Sequence, residues 1–341
     1  MISIVIPSLY PTSSLESYVS ALAKYPKVSE VIVVVNAKGI TPSPRHACTE
    51  QGRNGGELPQ GSNSHPSLNK HPVHWRFWGK NTGFTGACNA GAKLATGKYI
   101  LFLNDDCEIT EDNLNILVNF LEAHSEIVAT QPVVYRQVPN SPAKPRRDPS
   151  IPSPCCGEGG RDDDASVGVS TLQENDTRMV ENIGFWVDTQ IGKAYPVQNT
   201  DKVPSTKLST KHLAPSTKLP IYGLSGTCLL ICKAIFDKIG MFDEAFHSYL
   251  EDVDLAIRLH QAGYVIAPCL EAEVVHQHMA TSSRMGLYKQ IQDVKNWWRL
   301  IIKHRNVFVH IDNIVPLFVE RLRNVSGLVK ASVPSSTAEG N

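Results

Sequence analysis

Residues 99–106 read YILFLNDD, five consecutive apolar or aromatic positions running straight into an asparagine and two aspartates. Continuous rather than alternating apolar runs are what a strand shows when helices cover both of its faces, as in a parallel sheet. Outward from Tyr99–Leu103 the same pattern recurs at Ile2–Ile6, Val31–Val35 and Val73–Trp78, with helical patterns at Leu15–Tyr25 and Ala87–Ala95 between them. Strand and helix in alternation predict a doubly wound α/β sheet. Ligands of such sheets gather at the carboxyl ends of the strands, so Asn104, Asp105 and Asp106 are expected in the binding crevice. Two adjacent carboxylates with no nearby Lys or Arg repel one another unless a cation neutralises them, and Mg²⁺ or Mn²⁺ on a diphosphate would do so. A plain turn, with Asp106 capping a helix that begins near Glu111, is the competing explanation.

After residue 180 the order changes. Asn182–Val187, Thr227–Cys232 and Ala272–His276 read as strands of a smaller mixed sheet, and Lys233–Ile239, Glu251–Ala262 and Lys289–Arg305 as helices. Three segments rich in Pro, Ser, Gly, Asn and charge, at 40–72, 138–178 and 196–220, are expected to be insertions on this core; the last repeats PSTKL.

Three further stretches carry chemistry. KNTGFTGACNAG, Lys80–Gly91, bends through Gly83 and Gly86 into a helix whose N-terminus is placed to meet phosphate or ribose oxygens. SYLEDVDLAIRLHQAGY, Ser248–Tyr264, is a helix in which Ser248 and Glu251 fit a capping box. Asp252 then lies in the first turn, where the helix dipole favours its ionised form, and an ionised carboxylate in a crevice can take a proton from a hydroxyl. AEVVHQH, Ala272–His278, puts His276 and His278 on one side of a strand, where either could reach a metal held by Asp106.

Composition sets the frame. The 341 residues carry 33 basic and 33 acidic side chains, so no global charge draws the chain to nucleic acid. With 42% hydrophobic and 19% charged residues a sizeable core is expected and global disorder is not. The eight cysteines, Cys155 and Cys156 among them, show no framework spacing and are expected as reduced thiols. The leading MISIVIPSLYP lacks a basic leader and no run reaches the ~18–20 apolar residues of a membrane span, so a cytoplasmic location is expected.

In order and type, these stretches, together with ISIVIPSLY, EVIVVVNAKG and GLSGTCLLICKAIFDKIGMFDEAFH, resemble the inverting family 2 glycosyltransferases of the GT-A fold, in particular a bacterial rhamnosyltransferase-like branch. The resemblance implies a Rossmann-like, mostly parallel nucleotide-binding sheet merged with a smaller mixed acceptor-side sheet, helices on both faces, over residues 1–280. A C-terminal helical extension at 281–330 and a disordered tail at 331–341 would follow. It further implies Asp106 and His276 as ligands of a divalent cation, Mn²⁺ or Mg²⁺. Asp252 would be the catalytic base, with Glu251 positioning the acceptor. Pro7, Asn36, Asn81, Gly83, Phe84, Asn89 and Asp105 would line the nucleotide side. Val35 stands where the family's second strand usually ends in Asp, which leaves the nucleotide open.

The implied partners are a nucleotide-diphosphate sugar donor and a glycan or lipid-linked glycan acceptor, with no nucleic acid. The apolar tail from Trp297 to Val319 is read as a peripheral contact with the inner membrane face, as core packing or as a homodimer contact. Rival readings are nucleotidyl transfer, which would want a basic loop where SLYPTSS stands, and a degenerate sugar-nucleotide-binding protein.

Overall fold

The computed structural model describes residues 1–37, 71–137, 178–203, 220–277 and 286–332. The first half runs β1 (Ile2–Ser8), α1 (Ser13–Leu22), β2 (Val28–Val35), β3 (Val73–Phe77), α2 (Gly83–Leu94), β4 (Tyr99–Leu103), β5 (Cys107–Glu108), α3 (Glu111–Ala123), β6 (Ile127–Thr130) and β7 (Pro132–Gln137). The second half runs β8 (Arg178–Asn182), β9 (Phe185–Asp188), β10 (Lys193–Pro196), β11 (Ile221–Gly223), β12 (Cys228–Cys232), α4 (Lys233–Lys238), α5 (Glu251–Gln261), β13 (Val265–Ile266) and β14 (Cys269–His276). Three helices follow: α6 (Gly286–Lys303), α7 (Arg305–Phe308) and α8 (Ile314–Ser332).

A seven-stranded sheet in the order β13-β6-β12-β4-β1-β2-β3 forms the centre. All its pairings are parallel except those of β12, which runs antiparallel to both β4 and β6. Successive residues of one strand enter opposite cores. Val5, Ile100 and Phe102 face the layer of α2, α5 and α6, whereas Ile4, Ile6, Leu101 and Leu103 face that of α1 and α3. Each completely buried side chain of this size contributes about 1.5–3 kcal/mol. That double burial is why the runs are continuously apolar.

A four-stranded mixed sheet, β5-β14-β7-β8, and a three-stranded antiparallel sheet, β10-β9-β11, sit beside it. Two expectations are corrected. Thr227–Cys232 joins the main sheet, because all of Cys228–Ile231 is buried between β4 and β6. The segment Asn182–Val187 is not one strand: Gly184, at φ +109°, breaks it, and its two halves pair in different sheets. The helix expected at Ala87 starts at Gly83 instead, and α8 runs to Ser332, just past the start of the expected tail. The PSTKL repeat, Cys155, Cys156, His278 and most of the three expected insertions lie outside the described residues.

Candidate active site

The carboxyl end of β4 turns sharply after Leu103. The Asn104 amide donates to the Thr227 carbonyl at 3.1 Å, and the Asn104 carbonyl accepts from the Cys107 amide at 3.1 Å. The turn throws Asp105 outward and leaves Asp106 half-buried. Thr110, not Asp106, caps α3, its hydroxyl accepting from the Asn113 amide. The turn is therefore as the competing explanation expected, but Asp106 is not a helix cap.

β14 runs antiparallel to β5 with His276 opposite Cys107, which brings His276 to Asp106. His276 Nε2 lies 3.1 Å from Asp106 Oδ1, and its Nδ1 lies 2.9 Å from Glu181 Oε2 on β8. Burial alone disfavours the imidazolium, but the hydrogen bonds to Asp106 and Glu181 outweigh it and raise the His276 pKa to about 9. A carboxylate on Nδ1 fixes the ring and directs Nε2 outward, the arrangement found behind metal-ligating histidines. The Cys107 thiol is the third potential donor within 4.8 Å. Burial pushes its pKa far up, so it stays protonated and is no partner for a hard cation. A carboxylate and an oriented imidazole fit a divalent ion that keeps open positions for phosphate oxygens and water.

Beside this pair lies a cavity of about 500 Å³, within the range of small-molecule sites. Asn104, Phe84, the loop residues Ser225–Thr227, Tyr249, Glu251 and Asp252 form its walls, and Lys289 and Asp293 of α6 close one side. Asp106 and His276 are not wall residues; Asn104, two residues upstream of Asp106, and Asn182, next to Glu181, are. A short chain of contacts joins the two clusters. Asp252 Oδ2 accepts from the Gly226 amide at 3.3 Å, and the next residue, Thr227, accepts from Asn104.

The first turn of α5 differs from the capping box expected. The N-cap is Leu250, in the left-handed region at φ +67°, and Ser248 Oγ instead accepts from the Phe84 amide at 3.2 Å. Glu251 is 7% exposed, and its Oε2 has no hydrogen-bond partner among the described residues. Burial first, and the neighbouring Asp252 charge second, push its pKa up to about 8. Asp252 is half-buried and its pKa is raised too, desolvation outweighing the amides of Gly226 and Val253. The dipole argument made from sequence thus loses to burial.

On the expected nucleotide side, Asn36 is buried and binds up the 81–83 turn. Its Nδ2 donates to the Gly83 carbonyl at 2.7 Å, and its Oδ1 accepts from the Thr82 amide at 2.9 Å. The Gly83 amide donates to Asn81 Oδ1, that of Phe84 to Ser248, and that of Thr85 to the His247 carbonyl. The first-turn amides of α2 are therefore engaged by protein groups rather than presented to a phosphate, contrary to the reading of that helix N-terminus. Asn89 is buried away from the cleft, clamping Phe242 through both its amide atoms. Pro7 sits near the carboxyl end of β1 and Phe84 puts its ring in the cavity wall. Gly83 is required where it stands: its φ is +74°, and a Cβ there would overlap the His247 carbonyl.

Sequence reasoning missed Glu181, the Ser225–Thr227 loop, Lys289 and Asp293. The 226 position carried a signal: a glycine flanked by hydroxyls just before a buried strand. Glu181 carried none, since only register with β7 places it on His276.

A family model described as glycosyl transferase family 2 matches residues 3–240. An N-acetylglucosaminyl-diphospho-decaprenol L-rhamnosyltransferase of Mycobacterium tuberculosis is 39% identical over 106 residues, 28% of this chain and 34% of that protein. A low-salt glycan biosynthesis hexosyltransferase of Haloferax volcanii is 20% identical over 104 residues, 30% of this chain and 31% of that protein. The matches thus span about a third of the length of these curated relatives. Among solved structures, the mannosyltransferase of Pyrobaculum calidifontis in complex with GDP-Man and Mn²⁺ superposes with a TM-score of 0.50 at 14% identity, covering 99% of this chain and 76% of that one. At that identity the likeness is one of fold, which is of the GT-A type.

Proposed function

The chain belongs to glycosyl transferase family 2, and from that premise we propose that it moves a sugar from a nucleotide-diphosphate donor to an acceptor hydroxyl with inversion. The observation that carries the reading is the cavity wall on which Glu251 and Asp252 stand, with no ion pair to a basic side chain among the described residues, within one loop of the strand end bearing Asp106. Asp252 accepts the acceptor's hydroxyl proton as the new oxygen–carbon bond forms, while the bond from the anomeric carbon to the diphosphate breaks and its electron pair leaves with the nucleotide. Amides of Gly226 and Val253 hold the Asp252 carboxylate in place. The unpartnered Oε2 of Glu251 is available to hold the acceptor.

Asp106 and His276 are the residues that would hold a divalent cation, Mn²⁺ or Mg²⁺, with Glu181 behind His276. When bound, such an ion offsets charge growing on the departing diphosphate. Phe84 bounds the nucleotide side, with Asp105 and Pro7 at the neighbouring strand ends, while Asn36, Asn81 and Gly83 shape its turn and Asn89 braces α2 against Phe242. The catalytic unit comprises residues 1–280 together with α6, since Lys289 and Asp293 reach the cavity.

The acceptor we favour is a lipid-linked glycan, as in the mycobacterial relative's name, reached at the inner face of the cytoplasmic membrane. Among the described residues no helix is long and apolar enough to cross a membrane. Leu287, Ile291, Trp298 and Ile302 nevertheless form one exposed stripe on α6, and Ile314, Phe318, Leu322 and Val325 another on α8. Such a surface marks a contact, and exposed Lys295, Arg305 and Arg323 beside it suit anionic lipid.

Incubation with UDP-, dTDP- and GDP-sugars, Mn²⁺ and a polyprenyl-diphosphate glycan tests the activity. The proposal expects one donor to yield a glycosylated lipid, and excess chelator to stop it; failure of every donor argues against transfer. Co-flotation with anionic vesicles tests the membrane contact, and a concentration-dependent dimer that ignores vesicles would replace it.

A further inference from the structure

Three residues between Phe246 and α5 hold left-handed backbone without being glycine: His247 at φ +64°, Tyr249 at +69° and Leu250 at +67°. Such conformations cost free energy and persist only where surrounding structure over-determines them. Tyr249 and Leu250 line the cavity, and the loop delivers Glu251 and Asp252 directly. Something must hold it.

From one side the hold comes from the amino end of α2, where the Thr85 and Phe84 amides donate to the His247 carbonyl and to Ser248 Oγ. From the other it comes from a single side chain of α6. Asn296 is wholly buried, and its Nδ2 donates to the carbonyls of Phe246, Ser248 and Tyr249 at 2.9, 2.8 and 2.8 Å. Its Oδ1 accepts from Arg299 Nη1 at 3.1 Å, which fixes the amide so that the nitrogen faces the loop. No apolar residue, and no acceptor-only carboxylate, could meet three carbonyls there.

We infer that Asn296 is a positioning residue: it sets the left-handed loop 246–250 and through it the placement of Asp252 and Glu251 against the acceptor. The inference rests on the transferase reading above. It makes α6 part of the catalytic apparatus rather than an appended helix, since the same helix lends Lys289 and Asp293 to the cavity. The donor side, built from β1, α2 and the end of β4, makes no contact with Asn296 among its hydrogen bonds. The Phe84 and Thr85 amides that tie the loop to α2 are independent of Asn296 and keep the donor-side turn in place, so its loss should act on turnover far more than on donor binding.

The test compares the full-length wild type with Asn296→Ala, Asn296→Asp and a control, Leu300→Ala. Leu300 is likewise wholly buried on α6 but is packed in the apolar core. Each is assayed well below its own thermal midpoint. A misplaced reacting group costs up to about 10²-fold, so both Asn296 variants should lose kcat on that order. Their donor KM should stay within about threefold, because ground-state binding is untouched. Leu300→Ala should lower the midpoint yet keep kcat near wild type. Asn296 variants that keep kcat, that lose kcat and donor binding together, or that fail to fold at all would overturn the inference. Should the wild type transfer no sugar, it is the functional reading that fails. Amide hydrogen exchange across 246–250 then decides alone: faster in Asn296→Ala than in Leu300→Ala supports the positioning role, and equal rates overturn it.

Discussion

Two carboxylates two residues apart on one helical turn have opposite settings. Asp254, completely buried, accepts from Arg258 Nε, Lys303 Nζ and His304 Nε2, each at 2.8 Å. Burial would raise its pKa, but the His304 hydrogen bond and the Arg258 and Lys303 charges bring it below the ordinary value. Asp252 faces the cavity with backbone amides as its partners, and desolvation carries its pKa upward. Both sit in the first turn of α5, so the helix dipole does not distinguish them. What differs is the supply of cations, and that separates a carboxylate that holds the structure from one able to exchange a proton.

The contrast can be broken most severely at position 252. Asp252→Asn should lower transfer by about 10²–10⁴-fold with donor affinity unchanged, read by product formation and by calorimetry of donor binding. Equal loss of both would make Asp252 as structural as Asp254. Conversely, Asp254→Asn removes a completely buried carboxylate from the half-buried Arg258 and from His304, and should cost about 3–5 kcal/mol of stability by denaturant unfolding, while the folded fraction stays active. At the metal-side pair, Glu181→Gln should weaken divalent-ion affinity about 10–100-fold, with little change in thermal midpoint without metal.

Glu251 sharpens the comparison through pH. Its folded-state pKa is raised from 4.5 to about 8, so the folded form binds that proton more tightly than the unfolded chain. The associated stability is present below the ordinary carboxylate range and is lost as pH rises toward about 8. Glu251→Gln should flatten that decline and raise the thermal midpoint at pH 8–9, although activity falls. A midpoint with the same pH slope in wild type and variant would contradict the burial argument.

The central sheet was legible because its strands are buried on both faces, which writes continuous apolar runs such as VIVVV and YILFL. Asp106, Glu251, Asp252 and His276 were singled out by their combined order along the chain, since a turn, a capping box, an acidic first turn of α5 and a polar strand end each account for them singly. The Ser248–Glu251 spacing misled, since Ser248 Oγ is taken by the Phe84 amide and the loop carbonyls by Asn296, partners more than a hundred residues before and nearly fifty after that no local pattern shows. The role of Asn36 was hidden for a similar reason: an asparagine ending a strand can serve a ligand or pin a neighbouring turn, and the turn at 81–83 comes close only in three dimensions. The short strands β5 and β13 have two residues each and leave no periodic trace.

Asp252 as base implies one displacement at the anomeric carbon and no covalent sugar–enzyme species. Proton NMR of the first product formed reads that configuration directly. The account predicts a product whose anomeric configuration is inverted from that of the donor; a retained configuration would contradict it.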